Sequence, residues 1–193
     1  MQQSIRTFIA LELPPTVLSL LRTVQQDLKQ LKIRARWVRP ENIHLTLKFI
    51  GDTKPGDIDP ISAAMAGAAN RISPVTLAVR GIGVFPTPKR PRVIWVGLGG
   101  DIRSLLALQS RLEDKLAATG VAKDQRSFKA HLTLGRIKQA PGPAVIRQMM
   151  TAYATLSSDE FTCDQVILFK SDLKPSGAVY TKIKQTSMGM NNE

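Results

Sequence analysis

The feature that most constrains this chain is a tetrapeptide that occurs twice. His44-Leu45-Thr46-Leu47 is repeated as His131-Leu132-Thr133-Leu134, once in each half of the chain. These are also the only two histidines among 193 residues. A single histidine in an amphipathic strand is usually structural, but that interpretation does not explain why both histidines have identical neighbours. The repeat therefore predicts two related halves that each present one imidazole.

The order of apolar patterns along the chain predicts an α+β fold class. Apolar residues recur at helical spacing in four segments, at about 15–32, 58–72, 102–116 and 141–155. Strand-like runs lie between them, often as adjacent pairs, at 7–13, 43–50, 75–85, 93–98, 130–137, 161–169 and 178–184, and glycine and proline mark loops at 51–56 and 86–91. Adjacent strand pairs favour antiparallel sheets covered by helices over a doubly wound parallel sheet. The chain length fits one compact domain, or two small lobes with a shared core.

The charge balance favours a polyanionic partner. Lys and Arg total 27 against 15 Asp and Glu, which gives a formal net charge of +12. Such an excess attracts nucleic acids, although a basic surface without a specific partner gives the same count. The clustered basic residues that are candidates for contact with an RNA backbone are Arg34, Arg36 and Arg39 around Trp37, then Lys89, Arg90 and Arg92, and finally Lys123, Arg126 and Lys129. Trp37 is expected either to stack on a base or to pack in the core.

Apolar runs and cysteine usage indicate where the protein works. No stretch approaches the roughly eighteen uninterrupted apolar residues of a membrane helix, and the first residues lack the pattern of a cleaved signal peptide. We therefore expect a cytoplasmic protein that does not enter a membrane, and nothing in the sequence requires more than a monomer. Cys163 is the only cysteine, which excludes an intramolecular disulfide and a thiolate metal cluster. It is expected to be a buried strand residue rather than a nucleophile.

The repeated motif has the groups that phosphodiester cleavage needs. Alternate residues of a strand share a face, so His44 lies beside Thr46 and His131 beside Thr133, while the leucines point into a core. Cleavage requires one group that takes a proton from the nucleophile and another that gives a proton to the leaving oxygen. Two imidazoles with an ordinary pKa of about 6.5 can divide these tasks near neutral pH. The threonine hydroxyls can donate to phosphate oxygens. No metal is required, and two histidines alone are too few for a zinc site.

At these residues the chain resembles the two-histidine (2H) phosphoesterases, which are marked by two His-x-Thr-x motifs. The flanking segments are similar to those of the RNA 2',3'-cyclic phosphodiesterases, also called the 2'-5' RNA ligase family. These segments are RTFIALELP (6–14), RWVRPENIHLTLKFIGD (36–52), GVFPTPKRPRVIWVGL (83–98), FKAHLTLGRI (128–137) and VILFKSDLKPSGAVY (166–180). The resemblance implies a single domain over residues 1–193, in which two intertwined, pseudo-symmetric lobes of antiparallel sheet flanked by helices surround a central groove. His44, Thr46, His131 and Thr133 are expected to line that groove.

The resemblance also implies a substrate and a reaction that uses no cofactor and no metal. The substrate is an RNA end with a 2',3'-cyclic phosphate, which is opened to a 2'-phosphate by cleavage of the P–O3' bond. Our hypothesis is that His131 activates water and His44 protonates O3', although the two roles can be exchanged. With the 5'-hydroxyl of another RNA in place of water, the same site is expected to join a cyclic end to it through a 2'-5' linkage without ATP. No Gly-Lys-Ser/Thr follows the glycines at 97–100, so a nucleoside triphosphate site is not indicated.

Three residues that follow the motifs are assigned by strand parity. Arg136 resembles a family arginine that binds the phosphate, but it lies five residues after His131, and strict alternation places it on the opposite face. Phosphate binding by Arg136 therefore requires a bulge or a strand end near Gly135, and the alternative is a solvated arginine at a strand end. Lys48 shares the parity of the first histidine and could add positive potential there, although we expect a solvated lysine. Phe49 shares the parity of the motif leucines, which favours packing in the core over stacking on a base.

Two other functions also fit the sequence. A phosphodiesterase for small cyclic nucleotides or 2'-5' oligonucleotides has the same motifs and needs a smaller, less basic site. A non-catalytic RNA-binding module with this fold keeps its affinity when either histidine is replaced, and its main signature is a steep salt dependence. Two intact copies of the motif favour an enzyme over a pure binder.

Overall fold

The computed structural model describes residues 4–175 and 177–189, which form four α-helices and nine β-strands. The helices are α1 (Pro15–Gln30), α2 (Ile58–Ala69), α3 (Ile102–Ala117) and α4 (Pro143–Ala152). The strands are β1 (Ile5–Leu11), β2 (Ala35–Trp37), β3 (Leu45–Thr53), β4 (Val75–Thr87), β5 (Arg90–Gly100), β6 (His131–Ile137), β7 (Phe161–Cys163), β8 (Gln165–Lys174) and β9 (Gly177–Ser187). None of the described helices is long and apolar enough to cross a membrane.

The strands form two antiparallel sheets that exchange strands between the halves of the chain. The first sheet has the order β3-β1-β8-β9, and the second has the order β2-β6-β5-β4-β7. The first sheet therefore joins β1 and β3 to two strands of the second half, while β4 of the first half pairs with β5. In each half, the strand before a long helix pairs with the motif strand that follows it: β1 with β3, and β5 with β6. The predicted α+β fold class is confirmed.

The two long helices, α1 and α3, each bury one apolar face. The buried apolar residues of α1 recur at intervals of three and four, as an amphipathic helix requires: Val17, Leu21, Val24 and Leu28. Those of α3 follow the same rule: Leu105, Leu108, Leu112 and Leu116. Asp101 caps the start of α3, where its Oδ1 accepts a hydrogen bond of 3.0 Å from the Ser104 N–H. Both helices thus contribute to the main hydrophobic core.

The two faces of the first sheet contact different hydrophobic clusters. The main core contains the motif leucines Leu45, Leu47, Leu132 and Leu134, so the prediction that they point into a core is confirmed. A smaller cluster contains Phe8, Ala10, Ile167 and Phe169, with Tyr180 packed against it. Phe8 and Ala10 alternate along β1 with Ile9 and Leu11 of the main core. The smaller cluster therefore lies on the opposite face of the first sheet.

The structure corrects several boundaries that the sequence pattern indicates. The predicted strand 161–169 is two strands, because β7 pairs with β4 in the second sheet and β8 pairs with β1 in the first. The predicted loops at 51–56 and 86–91 are partly strand, since β3 continues to Thr53 and β4 forms a hairpin with β5. Pro86 and Pro91 are opposite each other in this hairpin. Because proline has no backbone N–H, this pair leaves no N–H without a partner. Cys163 is buried in β7, as predicted.

Candidate active site

His44 and His131 are held in the same way by the backbone of their own segments. The Nδ1 atom of His44 lies 2.7 Å from the Asn42 carbonyl oxygen, and the Nδ1 atom of His131 lies 2.6 Å from the Lys129 carbonyl oxygen. A carbonyl oxygen only accepts, so Nδ1 carries the hydrogen in both rings. The second ring nitrogen, Nε2, is therefore the one that each imidazole presents to a ligand.

Aromatic side chains fix the plane of each imidazole. His44 stacks on Phe8, with ring centroids 4.7 Å apart, and meets the edge of Tyr180 at 5.3 Å. The His131 ring meets Phe85 edge-on at 5.0 Å, and Phe85 in turn stacks on Trp95 at 4.9 Å. Rings packed in this manner have few alternative orientations. The sequence thus supplies each histidine with its own aromatic support.

A β-bulge follows the threonine in both motifs. In the first sheet, Thr46 is opposite Ala10 but Lys48 is opposite Ile9, so Leu47 is an extra residue in β3. In the second sheet, Thr133 is opposite Trp95 but Gly135 is opposite Ile94, so Leu134 is an extra residue in β6. A bulge reverses the parity of the residues that follow it. The residue after the bulge, Lys48 in β3 and Gly135 in β6, therefore turns to the core. The residue after that, Phe49 in β3 and Arg136 in β6, lies again on the face of the histidine.

The bulge in β6 turns Arg136 to the strand face that carries His131 and Thr133. Arg136 is exposed and lies opposite Val93, which shares the strand face of Trp95, the partner of Thr133. The carbonyl oxygen of the bulged Leu134 accepts hydrogen bonds from the Val38 N–H at 2.9 Å and from Gln25 Nε2 at 2.8 Å. These two donors satisfy the buried carbonyl of the extra residue. Arg136 thus lies on the same face of β6 as His131 and Thr133.

The bulge in β3 makes the predictions for Lys48 and Phe49 wrong. Lys48 is buried, with 1% of its side chain exposed, and its Nζ lies 2.9 Å from Glu113 Oε2 and 3.2 Å from Asp124 Oδ2. It also donates a hydrogen bond of 2.8 Å to the Ala122 carbonyl oxygen. Phe49 is 60% exposed and lies opposite Phe8, on the face of His44. The strand parity that supported the opposite assignments is broken by the extra Leu47.

Residues of the second sheet reach the aromatic face of the first. Burial raises the pKa of the Tyr180 hydroxyl, and the positive charges of Arg136, Arg6 and Arg36 oppose that shift. Arg36 is the neighbour of Arg136 across the β2–β6 pair, whereas Tyr180 packs beside His44 in the first sheet. The strands β3 and β6 are also in direct contact. The two motifs therefore lie at a junction between the sheets that is rich in arginine.

Burial also affects the charge of the first histidine. It lowers the pKa of His44 below the ordinary value of 6.5, and the hydrogen bond to Asn42 opposes this shift. A lower pKa favours the neutral imidazole in the folded protein. An anion bound beside the ring favours the charged form, so its effect on the His44 pKa is opposite to that of burial.

The other basic candidates are spread over the surface. Trp37 packs against the main core, with its ring next to Gly135, so the core interpretation of Trp37 is confirmed. Arg34 donates to Gln139 Oε1 at 3.2 Å, and Lys129 lies over the Phe85 ring at 5.8 Å from its centroid. The exposed basic residues of the β4–β5 hairpin and of the segment before β6 are Lys89, Arg90, Arg92, Lys123, Arg126 and Lys129. Among residues 4–175 and 177–189, no three His, Cys, Asp or Glu side chains form a metal-binding group.

The sequence matches that of a known family over most of its length. The sequence profile of the LigT like phosphoesterases aligns with residues 11–95 and 98–180, which include both motifs. The chain belongs to this family. Among relatives of this LigT-like phosphoesterase, the RNA 2',3'-cyclic phosphodiesterase of Methanothermobacter thermautotrophicus is 28% identical over 180 residues, or 93% of this chain and 97% of the relative. The RNA 2',3'-cyclic phosphodiesterase of Thermus thermophilus is 30% identical over 190 residues, or 95% of this chain and 90% of the relative.

The fold of this LigT-like phosphoesterase is also that of solved structures. The crystal structure of TT0787 of Thermus thermophilus superposes with a TM-score of 0.76 at 26% identity, and the match covers 97% of this chain and 100% of that one. Four aromatic residues of the site are not evident from the motifs alone: Phe8, Phe85, Trp95 and Tyr180. They lie on other strands, so parity within a motif strand does not reveal them. The available signal is that all four lie in the flanking segments that carry the family resemblance.

Proposed function

We propose that this LigT-like phosphoesterase is an RNA 2',3'-cyclic phosphodiesterase, which opens a terminal cyclic phosphate to a 2'-phosphate. Full-length similarity to several proteins of that name supports the proposal. The observation that carries it is the matched pair of imidazoles, each anchored through Nδ1 to the carbonyl two residues earlier and each presenting Nε2. A pair of this kind provides a base and an acid for the same phosphate.

In the proposed mechanism, the two histidines have opposite roles. His131 Nε2 takes a proton from water, which attacks phosphorus in line with the P–O3' bond. His44 Nε2 gives a proton to O3' as that bond breaks, so the product carries its phosphate on O2'. Since the bound phosphate is an anion, it raises the pKa of the adjacent His44 ring and offsets the effect of burial, which allows the ring to hold the proton it must donate.

Thr46, Thr133 and Arg136 are proposed to bind the non-bridging phosphate oxygens. Their side chains lie on the same strand faces as the two histidines, and Arg136 brings a positive charge. Negative charge on these oxygens grows in the transition state, so hydrogen-bond donors fixed at this position lower the barrier. Every step uses side chains of this chain and water, so the mechanism requires no metal and no cofactor.

The same site can also open the cyclic phosphate with the 5'-hydroxyl of RNA in place of water as the nucleophile. The 5'-hydroxyl of a second RNA attacks phosphorus, His131 takes its proton, and O3' leaves with the proton from His44, which forms a 2'-5' linkage. We further propose that the chain works as a monomeric single domain in the cytoplasm. The exchange of strands between its halves supports a single unit, since neither half contains a complete sheet.

The proposed reaction is tested with a short RNA that ends in a 2',3'-cyclic phosphate, incubated with the protein in excess EDTA. We expect a 2'-phosphate product, which His44→Ala and His131→Ala both fail to form. Arg22→Ala is the control, because Arg22 is an exposed cation on α1, outside both motifs and outside the clustered basic residues that are candidates for RNA contact. A 3'-phosphate product contradicts the P–O3' assignment, and a strict metal requirement contradicts the two-histidine mechanism. Unchanged RNA affinity in both histidine variants, with no turnover by the unaltered protein, identifies a binding module instead.

The two histidine roles are separated by a substrate in which sulfur replaces O3'. A thiolate leaves without being protonated, so the loss of the general acid matters less for this substrate. We expect His44→Ala to recover much of its activity on the sulfur substrate, while His131→Ala stays inactive. Recovery by His131→Ala instead reverses the two roles.

A further inference from the structure

Two arginines lie directly opposite each other at the edge of the second sheet. Arg36 of the edge strand β2 pairs with Arg136 of β6, and both side chains are exposed. Directly opposed residues of antiparallel strands share a face, so Arg36 lies on the face that carries His131 and Thr133. Like charges at opposed positions destabilise the strand pair. An anion that binds beside the two guanidinium groups offsets this repulsion.

The basic face continues outward from this pair. The carbonyl oxygen of Arg34 accepts hydrogen bonds from the N–H groups of Lys138 at 2.8 Å and of Gln139 at 3.4 Å, so the pairing of the two segments extends beyond β2. Arg34 and Lys138 are exposed, and each lies two residues from a member of the arginine pair. The residues that alternate with them pack against the main core: Ala35, Trp37 and Ile137. Four basic side chains, which we call the basic ladder, therefore lie on one exposed face: Arg34, Arg36, Arg136 and Lys138.

The basic ladder carries more positive charge than a cyclic phosphate balances. Within residues 4–175 and 177–189, none of its members forms an ion pair with a carboxylate. The cyclic phosphate is a diester with one negative charge, and Arg136 is already proposed to bind it. Arg36 adds a second positive charge at the same junction, where it acts on the Tyr180 hydroxyl beside His44. A second anion is therefore needed next to the cyclic phosphate.

An RNA end supplies this anion in the required direction. Each nucleotide on the 5' side of the terminal one brings another phosphodiester with a negative charge. β6 begins at His131, and the basic ladder lies at its far end, so the ladder leads away from the histidine. The 5' part of an RNA must also lead away from the histidines when its 3' end occupies the site.

We propose that Arg36 binds the phosphodiester on the 5' side of the terminal nucleotide, while Arg136 binds the cyclic phosphate. This inference rests on the proposed cyclic phosphodiesterase function. Arg34 and Lys138 then lie along the path of the preceding nucleotides. The site thereby distinguishes an RNA end from a nucleoside 2',3'-cyclic phosphate, which has no second phosphate. Phosphate contacts carry no sequence information, so this contact favours RNA of any sequence.

The test compares two dinucleotides that both end in a 2',3'-cyclic phosphate, with the complete protein. The linkage between the nucleosides is a phosphodiester in one and an uncharged methylphosphonate in the other, and a 2'-O-methyl group on the first nucleoside protects both linkages. For the charged dinucleotide, Arg36→Gln is expected to raise KM roughly 5- to 20-fold with little change in kcat, because a charge-assisted contact is lost. For the uncharged dinucleotide, the KM of Arg36→Gln is expected to match that of the unaltered protein. Arg22→Gln is the control, since Arg22 is an exposed cation on α1.

Salt dependence gives a second readout. Each phosphate contact with a single strand contributes about 0.7 to the slope of log affinity against log salt concentration. The affinity is measured as the Kd of the charged dinucleotide in the His131→Ala background, where the substrate is not turned over. Adding Arg36→Gln is expected to make the slope shallower by about 0.7, whereas adding Arg22→Gln leaves it unchanged. Arg36→Lys keeps the charge without the planar fork, so it is expected to keep the slope and to bind with intermediate affinity.

Equal increases in KM for the charged and the uncharged dinucleotide, or an unchanged KM for the charged one, overturn the second phosphate contact while the phosphodiesterase function stands. An unchanged salt slope in Arg36→Gln overturns it as well. No turnover of either dinucleotide by the unaltered protein overturns the proposed function, and the role of Arg36 with it.

Discussion

Replacing Lys48 with methionine is expected to destabilise the protein strongly, although Lys48 is a charged residue beside the motif. Lys48 Nζ contacts Glu113 Oε2 at 2.9 Å and the Ala122 carbonyl oxygen at 2.8 Å, and 1% of its side chain is exposed. Its removal leaves the Glu113 carboxylate, 13% exposed, without its cation. Breaking a buried pair in this way costs about 3–5 kcal/mol. We expect the lower value, about 3 kcal/mol, because Asp124, the second partner, is 57% exposed and returns to water.

The measurement is thermal unfolding at neutral pH. A loss of about 3 kcal/mol lowers Tm by roughly 6–12 °C for a chain of this size. Lys123→Met is the matched control, because Lys123 pairs with Asp114, next to Glu113, but both side chains are more than half exposed. Its Tm is expected to stay within the error of the measurement. In the Lys48→Met background, Glu113→Gln should recover part of the loss, since a neutral amide leaves no buried charge. Equal Tm values for Lys48→Met and Lys123→Met refute this reasoning.

Three other predictions concern single side chains. Burial lowers the pKa of His44 below 6.5, so the unfolded chain binds more protons at His44 than the folded one does. The contribution of His44 to the free energy of unfolding is therefore fully present above pH 6.5 and is lost as the pH falls through the pKa of the folded state. The free energy of unfolding, measured by urea denaturation between pH 7.5 and 5, should therefore fall more steeply for the unaltered protein than for His44→Gln, by at most about 1.4 kcal/mol per pH unit; equal slopes contradict the prediction. Burial, with a smaller effect from Asp164, raises the pKa of the Cys163 thiol to about 12. Iodoacetamide should therefore alkylate Cys163 at pH 8 only after the protein unfolds, and rapid labelling of the folded protein contradicts a buried thiol. Gly83→Ala places a methyl carbon in steric overlap with Cζ2 of Trp95 and should displace the indole from the His131 ring, which lowers kcat/KM. Gly56→Ala is the control and should leave kcat/KM unchanged, because nothing lies within 4 Å of the added methyl carbon. Equal kcat/KM values for the two variants contradict the proposed support of His131.

Alternation along the chain predicts much of this fold because each helix and most strands have an uninterrupted local pattern. The segment 15–32 shows apolar residues at helical spacing, and α1 occupies Pro15–Gln30. The exchange of strands is not evident from such patterns, because pairing joins residues far apart in sequence. The run 161–169 is the clearest case, since its apolar residues continue through Asp164 while the chain passes from one sheet to the other.

Strand parity predicts the positions of the site residues only up to the bulges. His44 and Thr46 precede the extra Leu47, and their shared face follows from simple alternation. Lys48 and Phe49 come after it, so alternation assigns each of them to the wrong face. The glycine at 135 is a local reason to consider a bulge in the second motif, whereas the first motif has lysine at that position and no such signal. A bulge in β3 becomes apparent only from its pairing with β1.

The strand order has a consequence for synthesis on the ribosome. β1 and β3 emerge early, but β8, the other neighbour of β1, begins at Gln165. Until then the first histidine is attached to a two-stranded ribbon, which is rarely stable by itself. All five strands of the second sheet end by Cys163, before β8 begins, so this sheet can assemble sooner. A nascent chain therefore gains its second imidazole site before its first, and a prematurely terminated chain that ends before β8 does not hold both imidazoles in place.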